Sequence, residues 1–399
     1  MSLTAFGQKE DFINNIQKNI INLLKSLPSG RLGGSQQEKQ TFYIIKDKID
    51  SIGFISRFQK FSCKSFIIKK EKLIIKKNGK EISIKCAGIG FSNNTYPNTT
   101  SGEIILLNNN ATHLPQKVRG KIIICTKSTR SKMYADFLEK GAQGFIEISD
   151  PGCGIRSTQL KGEYIDLPNN IPGVSVSYNN GITITKMLPA QATIILHQVI
   201  QFSESMNLIV NINGHSMPDE KIIIGAHVDT VQNTKGACDN GSGVVTLLEI
   251  LRRLRNFKSD RSLIFIWFGC EEYGWKGSSY FMSQCDTISE IKLMINLDSL
   301  GGYIENNEVK ISGTEKIYSH FIDFVKQKHY CCCVKRERGT GDDIVFSQKN
   351  INTICFHKGT PYIHTNKDNL NTIDAAALLT TSIFLTKYLK EIANKNIKF

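Results

Sequence analysis

The chain has 399 residues, 40% of them hydrophobic and 22% charged, which excludes a disordered or fibrous protein and is too long for one ordinary core. The formal charge of +14 comes from Lys spread among Ile and Asn along the whole length, not gathered into a basic tract with interleaved aromatics, which argues against nucleic acid as a partner. No apolar run approaches the roughly 18 residues of a membrane span, and the opening MSLTAFGQKEDF has no basic start followed by an apolar stretch.

Residues 11–26 repeat apolar positions at steps of three and four, which predicts an amphipathic helix. The Pro and glycines of LPSGRLGGSQQEKQ break it, and Ser35 is placed to cap a second helix that runs to about Ile52 and stops at Gly53. From about residue 67 short alternating strands take over, with Asn78-Gly79 as a hairpin turn. VRGKIIICTKS reads as a buried strand, residues 131–150 as a helix ended by Gly141 and then another strand, and NNIPGVSVSYNNGITI as further β structure. This middle third holds no cluster of His or Glu.

After about residue 200 strands and helices alternate as expected for an α/β sheet covered on both faces. The strands read MNLIVNING, KIIIGAH, RSLIFIWFG, IKLMINLDS and INTICFH. In such sheets ligands bind beyond the carboxyl ends of the strands. At those ends stand His227 with Asp229 two residues on, Glu271 and Glu272, Asp298, and, a little further along, His364; Asp239 lies in a Gly-rich loop before a helix. Singly, Asp239 could cap that helix, His227 could be a satisfied core imidazole and Asp298 a turn acid. Together, three carboxylates and two imidazoles at one sheet edge suit zinc, with Mn²⁺ or Co²⁺ as substitutes, and two ions could share Asp239. A nearby dication would also offset the repulsion between Glu271 and Glu272.

The elements AHVDT, GACDNGSG, CEEYGWKGS, NLDSLG and YIHTNKDNLNTID occur in the order in which the M28 co-catalytic zinc peptidases carry their motifs, and the chain resembles that family over about residues 8–65 and 200–392. The resemblance implies a zinc exopeptidase fold, a mixed central β-sheet covered by helices on both faces, split between residues 1–66 and 200–399. Residues 67–199 would form an inserted β-rich domain similar to the protease-associated domain, expected to shape substrate access. It further implies two Zn²⁺, one on His227 and Asp298, the other on Glu272 and His364, bridged by Asp239. Glu271 would be the general base, and Asp229 would orient His227.

The implied activity is aminopeptidase cleavage of peptides with a free N-terminus. The alternatives are a carboxypeptidase or dipeptidase on the same site, or a receptor that keeps the fold without catalysis. A free amine favours a carboxylate in the pocket and a free carboxylate favours Arg or Lys, and the sequence places neither. Departures from the family pattern are Asp342 and Asp343, where an Asp-His pair is frequent, and Cys238 before the bridging position, read as a small apolar filler. Tyr362 reads equally as pocket lining or as core. Eleven Cys with no C-x-x-C pair read as buried free thiols, which points to the cytoplasm unless a leader has been removed; the oligomeric state is left open.

Overall fold

The structure is a computed structural model that describes residues 3–107, 118–126, 132–303, 307–357, 360–394, 397 and 399, with side chains from residue 13 onward except that of Lys132. The first helix, Leu3–Ser26, buries Ile16, Ile20 and Leu24, a four-residue repeat that draws one stripe along its surface. In the second, Gln36–Ser51, the Ser35 hydroxyl accepts from the Glu38 amide at 3.1 Å, and Phe42, Ile45 and Ile49 face inward.

Fourteen strands among the described residues join into one mixed sheet. Its centre is four parallel strands in the spatial order Arg261–Phe268, Met217–His227, Ile291–Asp298, Asn352–His357. They are nearly continuous apolar runs because helices cover both faces. One face packs the helices Leu3–Ser26, Gly243–Arg253, Glu315–Lys328 and Ala375–Asn394 around Trp267, Phe321 and Tyr388. The other packs Lys276–Ser283 and Asp343–Ser347 around Phe268 and Phe346.

Two strands of 22 residues, Ser56–Lys77 and Gln191–Ile212, pair antiparallel along their whole length with one irregularity between Ile68 and Lys70. They carry the sheet out of the first core into the segment between them, where the strands Thr100–Leu106, Ile122–Cys125, Gly144–Ile148 and Gly173–Val176 lie side by side. Positions 66/67 and 199/200 therefore fall inside continuous strands. At the far end Asn78 (φ 48°) and Gly79 (φ 78°) make the turn joining Lys77 to Lys80, two left-handed residues in succession as a tight hairpin requires. No helix among the described residues is long and apolar enough to cross a membrane.

Candidate metal centre and its supports

The four parallel strands deliver their carboxyl ends to one edge, with Phe268 level with His227 and Asp298 level with His357. The chain then turns sharply. Cys270, Ser299 and His364 all have positive φ, 54°, 55° and 63°, in the left-handed region that non-glycine residues avoid. Such conformations gather where surrounding contacts hold a site in shape.

His227 Nε2 lies 3.2 Å from Asp239 Oδ1 and 3.6 Å from Asp298 Oδ1. His364 Nε2 lies 3.0 Å from Asp239 Oδ2 and 2.9 Å from Glu272 Oε1. One ligand atom each from His227, Asp239 and Asp298 fall within 4.8 Å of one another, and the same holds for Asp239, Glu272 and His364. Asp239 thus turns one carboxylate oxygen to each trio. Ligands about 2.0–2.2 Å from a tetrahedral ion stand roughly 3.4 Å apart, so these separations fit zinc in both trios. All five expected ligand residues are brought together, and all are buried.

The two adjacent glutamates are set apart by their surroundings. Burial pushes Glu271 up to about 7, against the lowering pull of Lys161 and His227. Burial would raise Glu272 as well, but the His364 ring beside its carboxylate holds it down at about 2. Paired acids driven apart in this way divide into one that moves a proton and one that stays charged.

Asp229 does more than face the imidazole. Nδ1 of His227 is 3.1 Å from the Asp229 carbonyl oxygen and 3.5 Å from its carboxylate. A proton on Nδ1 donated to that carbonyl leaves the Nε2 lone pair aimed at Asp239 and Asp298. The two carboxylate oxygens of Asp229 instead accept from the amides of Glu271 and Glu272, at 2.9 and 3.0 Å, fixing the turn that presents both glutamates.

Several supports are invisible to motif reasoning. Asp368, fully buried, accepts from the amides of Cys238 and Asp239 at 2.7 and 3.0 Å and so holds the bridging residue from behind. Asn240 donates to the Leu297 carbonyl at 2.8 Å and accepts from the amide of Ser299 at 3.2 Å, tying the Asp239 loop to the end of the Asp298 strand. Glu38 accepts from the amide of Cys270 at 3.1 Å, beside the glutamate pair. Gly236, at φ 58°, has no room for a β-carbon between Thr230 and the Asp239 carbonyl.

Arg31, completely buried, binds the carbonyls of Val228, Pro28, Lys235 and Gly236 at 2.8–2.9 Å. Burial lowers its pKa to about 10, which still leaves it charged near neutral pH. It clamps the loop leaving His227 to the loop entering Asp239. Arg31→Met leaves buried carbonyls without donors, each costing about 1–3 kcal/mol, so an equilibrium denaturation curve should show a loss of at least about 3 kcal/mol. A loss below about 1 kcal/mol would remove Arg31 from this role.

Asp342 accepts from the Ser278 hydroxyl at 2.6 Å, and burial raises its carboxyl well above the usual range; burial lifts Asp343 to about 6. Both line the second helical face, and the preceding Gly341 leaves no room for a β-carbon beside Asn296 and Asp298. Cys238 is fully buried in the first core, with its thiol 3.5 Å from the Leu300 carbonyl, as expected of a filler. Tyr362 is half-buried with the Lys367 ammonium 5.3 Å from its ring centre, so it is not a core residue.

The model described as Peptidase family M28 matches residues 207–388. A probable leucine aminopeptidase 2 from Arthroderma benhamiae is 25% identical over 294 residues, covering 68% of this chain and 54% of its own. Aminopeptidase Y of Saccharomyces cerevisiae is 27% identical over 161 residues, 38% of this chain and 30% of its own. The chain spans about half the length of the first of these relatives. A crystal structure of a peptidase M28 precursor from Shewanella amazonensis superposes with a TM-score of 0.82 at 19% identity, covering 98% of this chain and 97% of that one. A zinc aminopeptidase from Bacillus subtilis superposes with a TM-score of 0.77 at 20% identity, covering 97% and 96%. The shared fold includes the segment between the two long strands.

Proposed function

From the match of residues 207–388 to the model described as Peptidase family M28, we propose that the chain is a zinc-dependent aminopeptidase that removes the first residue of peptides with a free N-terminus. The observation that carries this reading is one buried aspartate shared by two ligand trios, with a glutamate of raised pKa next to one of them. One ion would sit on His227, Asp239 and Asp298 and the other on Asp239, Glu272 and His364. Bound there, the pair of ions would acidify a water and polarise the scissile carbonyl.

Glu271 takes the proton of the attacking water and passes it to the leaving nitrogen, for which a carboxylate titrating near neutrality is suited. Glu272 stays charged and holds its ligand position. Asp229 keeps both glutamates in place through their amides, and Asp368 does the same for Asp239. A receptor without catalysis is disfavoured because every ligand residue converges.

The test is hydrolysis of aminoacyl p-nitroanilides by protein stripped with a chelator and then reloaded. Stripping should abolish turnover and zinc should restore it. Because ions bind the folded chain, reloading at a hundredfold over Kd should also stabilise it by about 3 kcal/mol for each ion bound, read as a rise in Tm. Chelator-insensitive hydrolysis, or none after reloading, would refute the proposal.

A further inference from the structure

The segment Ser157–Lys161 comes from between the two long strands, yet it enters the metal centre. The Ser157 amide donates to the His364 carbonyl at 2.7 Å. Gln159, fully buried, donates from Nε2 to the Glu272 carbonyl at 2.8 Å. Two residues on, the Lys161 ammonium stands 3.6 Å from Glu272 Oε2, the oxygen not turned to His364, with its side chain 20% exposed. One cation therefore stands against the glutamate pair at Glu272, on a backbone held to the His364 and Glu272 turns.

We infer that Lys161 anchors the α-carboxylate of a dipeptide's second residue, which makes dipeptides the preferred substrates; this rests on the aminopeptidase reading above. Three observations lead there. At 3.6 Å the ammonium is not in close hydrogen bond with Glu272 and it remains in part accessible, so it can meet a ligand. It lies against Glu272, the chain neighbour of Glu271, which delivers a proton to the leaving nitrogen, and so it stands on the glutamate side of the scissile bond. In a dipeptide the leaving nitrogen is one carbon from a carboxylate, which puts an anionic oxygen about 3–4 Å from that nitrogen. A longer peptide presents an uncharged amide at the same place. An ammonium at the rim of a site this rich in carboxylates has a carboxylate as its natural ligand once Glu272 is committed to an ion.

The experiment compares Leu-Gly, Leu-Gly amide and leucine p-nitroanilide on the zinc-loaded chain, in the wild type, Lys161→Met and Lys161→Arg. The wild type should favour Leu-Gly over its amide in kcat/KM by about tenfold or more. Lys161→Met should erase that preference, through KM in the main, and Lys161→Arg should restore part of it. A second readout needs no turnover: in a Glu271→Gln background, calorimetry should show Leu-Gly binding weakened about tenfold by Lys161→Met, with the amide affected far less. Equal losses for acid and amide would reduce Lys161 to balancing the charge of the glutamate pair and overturn the inference, as would no change for either. If the wild type cleaves none of the three substrates, the aminopeptidase reading falls, and the calorimetric contrast still decides whether Lys161 binds a carboxylate.

Discussion

Glu271→Gln should lower kcat by about 10²–10⁴-fold while zinc content and Tm stay at wild-type values. The side chain is isosteric, and its carboxylate belongs to neither ligand trio. The amide of residue 271, held by Asp229 at 2.9 Å, is untouched by the change, so the turn that presents Glu272 should survive. What is lost is a proton acceptor. Glu272→Gln makes the contrast, because Glu272 Oε1 faces His364 at 2.9 Å in a trio: that variant should lose zinc as well as turnover. Metal analysis alongside rates separates the two roles. A Glu271→Gln protein with near-normal turnover would remove the general-base assignment, and one depleted of zinc would make Glu271 a ligand.

Asp239→Ala should have the largest effect on metal. Its two oxygens serve both trios, so a single substitution strips a ligand from each, and zinc content should fall towards zero instead of from two ions to one. Asp298→Ala and His364→Ala, which each touch one trio, should give partial occupancy. Asp368 offers a graded comparison. It holds Asp239 only through the backbone, at 3.0 Å, and loss of such outer support typically costs 10–100-fold in metal affinity. Calorimetric zinc titrations should therefore rank Asp239→Ala well below Asp368→Asn, and Asp368→Asn below the wild type. If Asp239→Ala still binds one ion at full affinity, the shared-bridge arrangement is wrong.

Most of the proposed ligand residues stand out in the sequence because they lie at or just past a strand end, where apolar runs stop and short polar motifs begin. Parallel strands put such ends on one edge, so His227, Glu272 and Asp298 converge by topology alone. His364 needed more, since it lies seven residues beyond the strand end His357, and the resemblance supplied it. The supports were not legible for the opposite reason. Arg31 reaches carbonyls about 200 residues away, Glu38 an amide 232 away, and Gln159 a carbonyl 113 away. No periodicity or local motif encodes contacts of that range. Asp368 sits only four residues after His364 in the YIHTNKD stretch, but nothing local marks it as buried or as facing the amides of Cys238 and Asp239, 130 and 129 residues away.

The limits of reading texture show in the two long strands. The change at about residue 67 reflects a change in what the strand buries: Phe61, Cys63 and Phe66 before it share a cluster with Cys270 and Tyr273, Leu73 and Ile75 after it share one with Ile122, Ile194 and Leu196, and the strand itself runs on to Lys77. Alternation reports burial on each face and carries no mark of where one core ends. The sequence assigns residues 67–199 a part in shaping substrate access but marks no residue of it for the site, and the contacts of Ser157, Gln159 and Lys161 with the His364 and Glu272 turns span more than 100 residues.

The most direct measurement is anomalous diffraction at the zinc edge from crystals of the reloaded chain. Two peaks about 3.5–4 Å apart are predicted, one within bonding distance of His227 and Asp298, the other of Glu272 and His364, and both of Asp239. A single peak, or peaks remote from Asp239, would contradict the dinuclear centre on which the proposed chemistry depends.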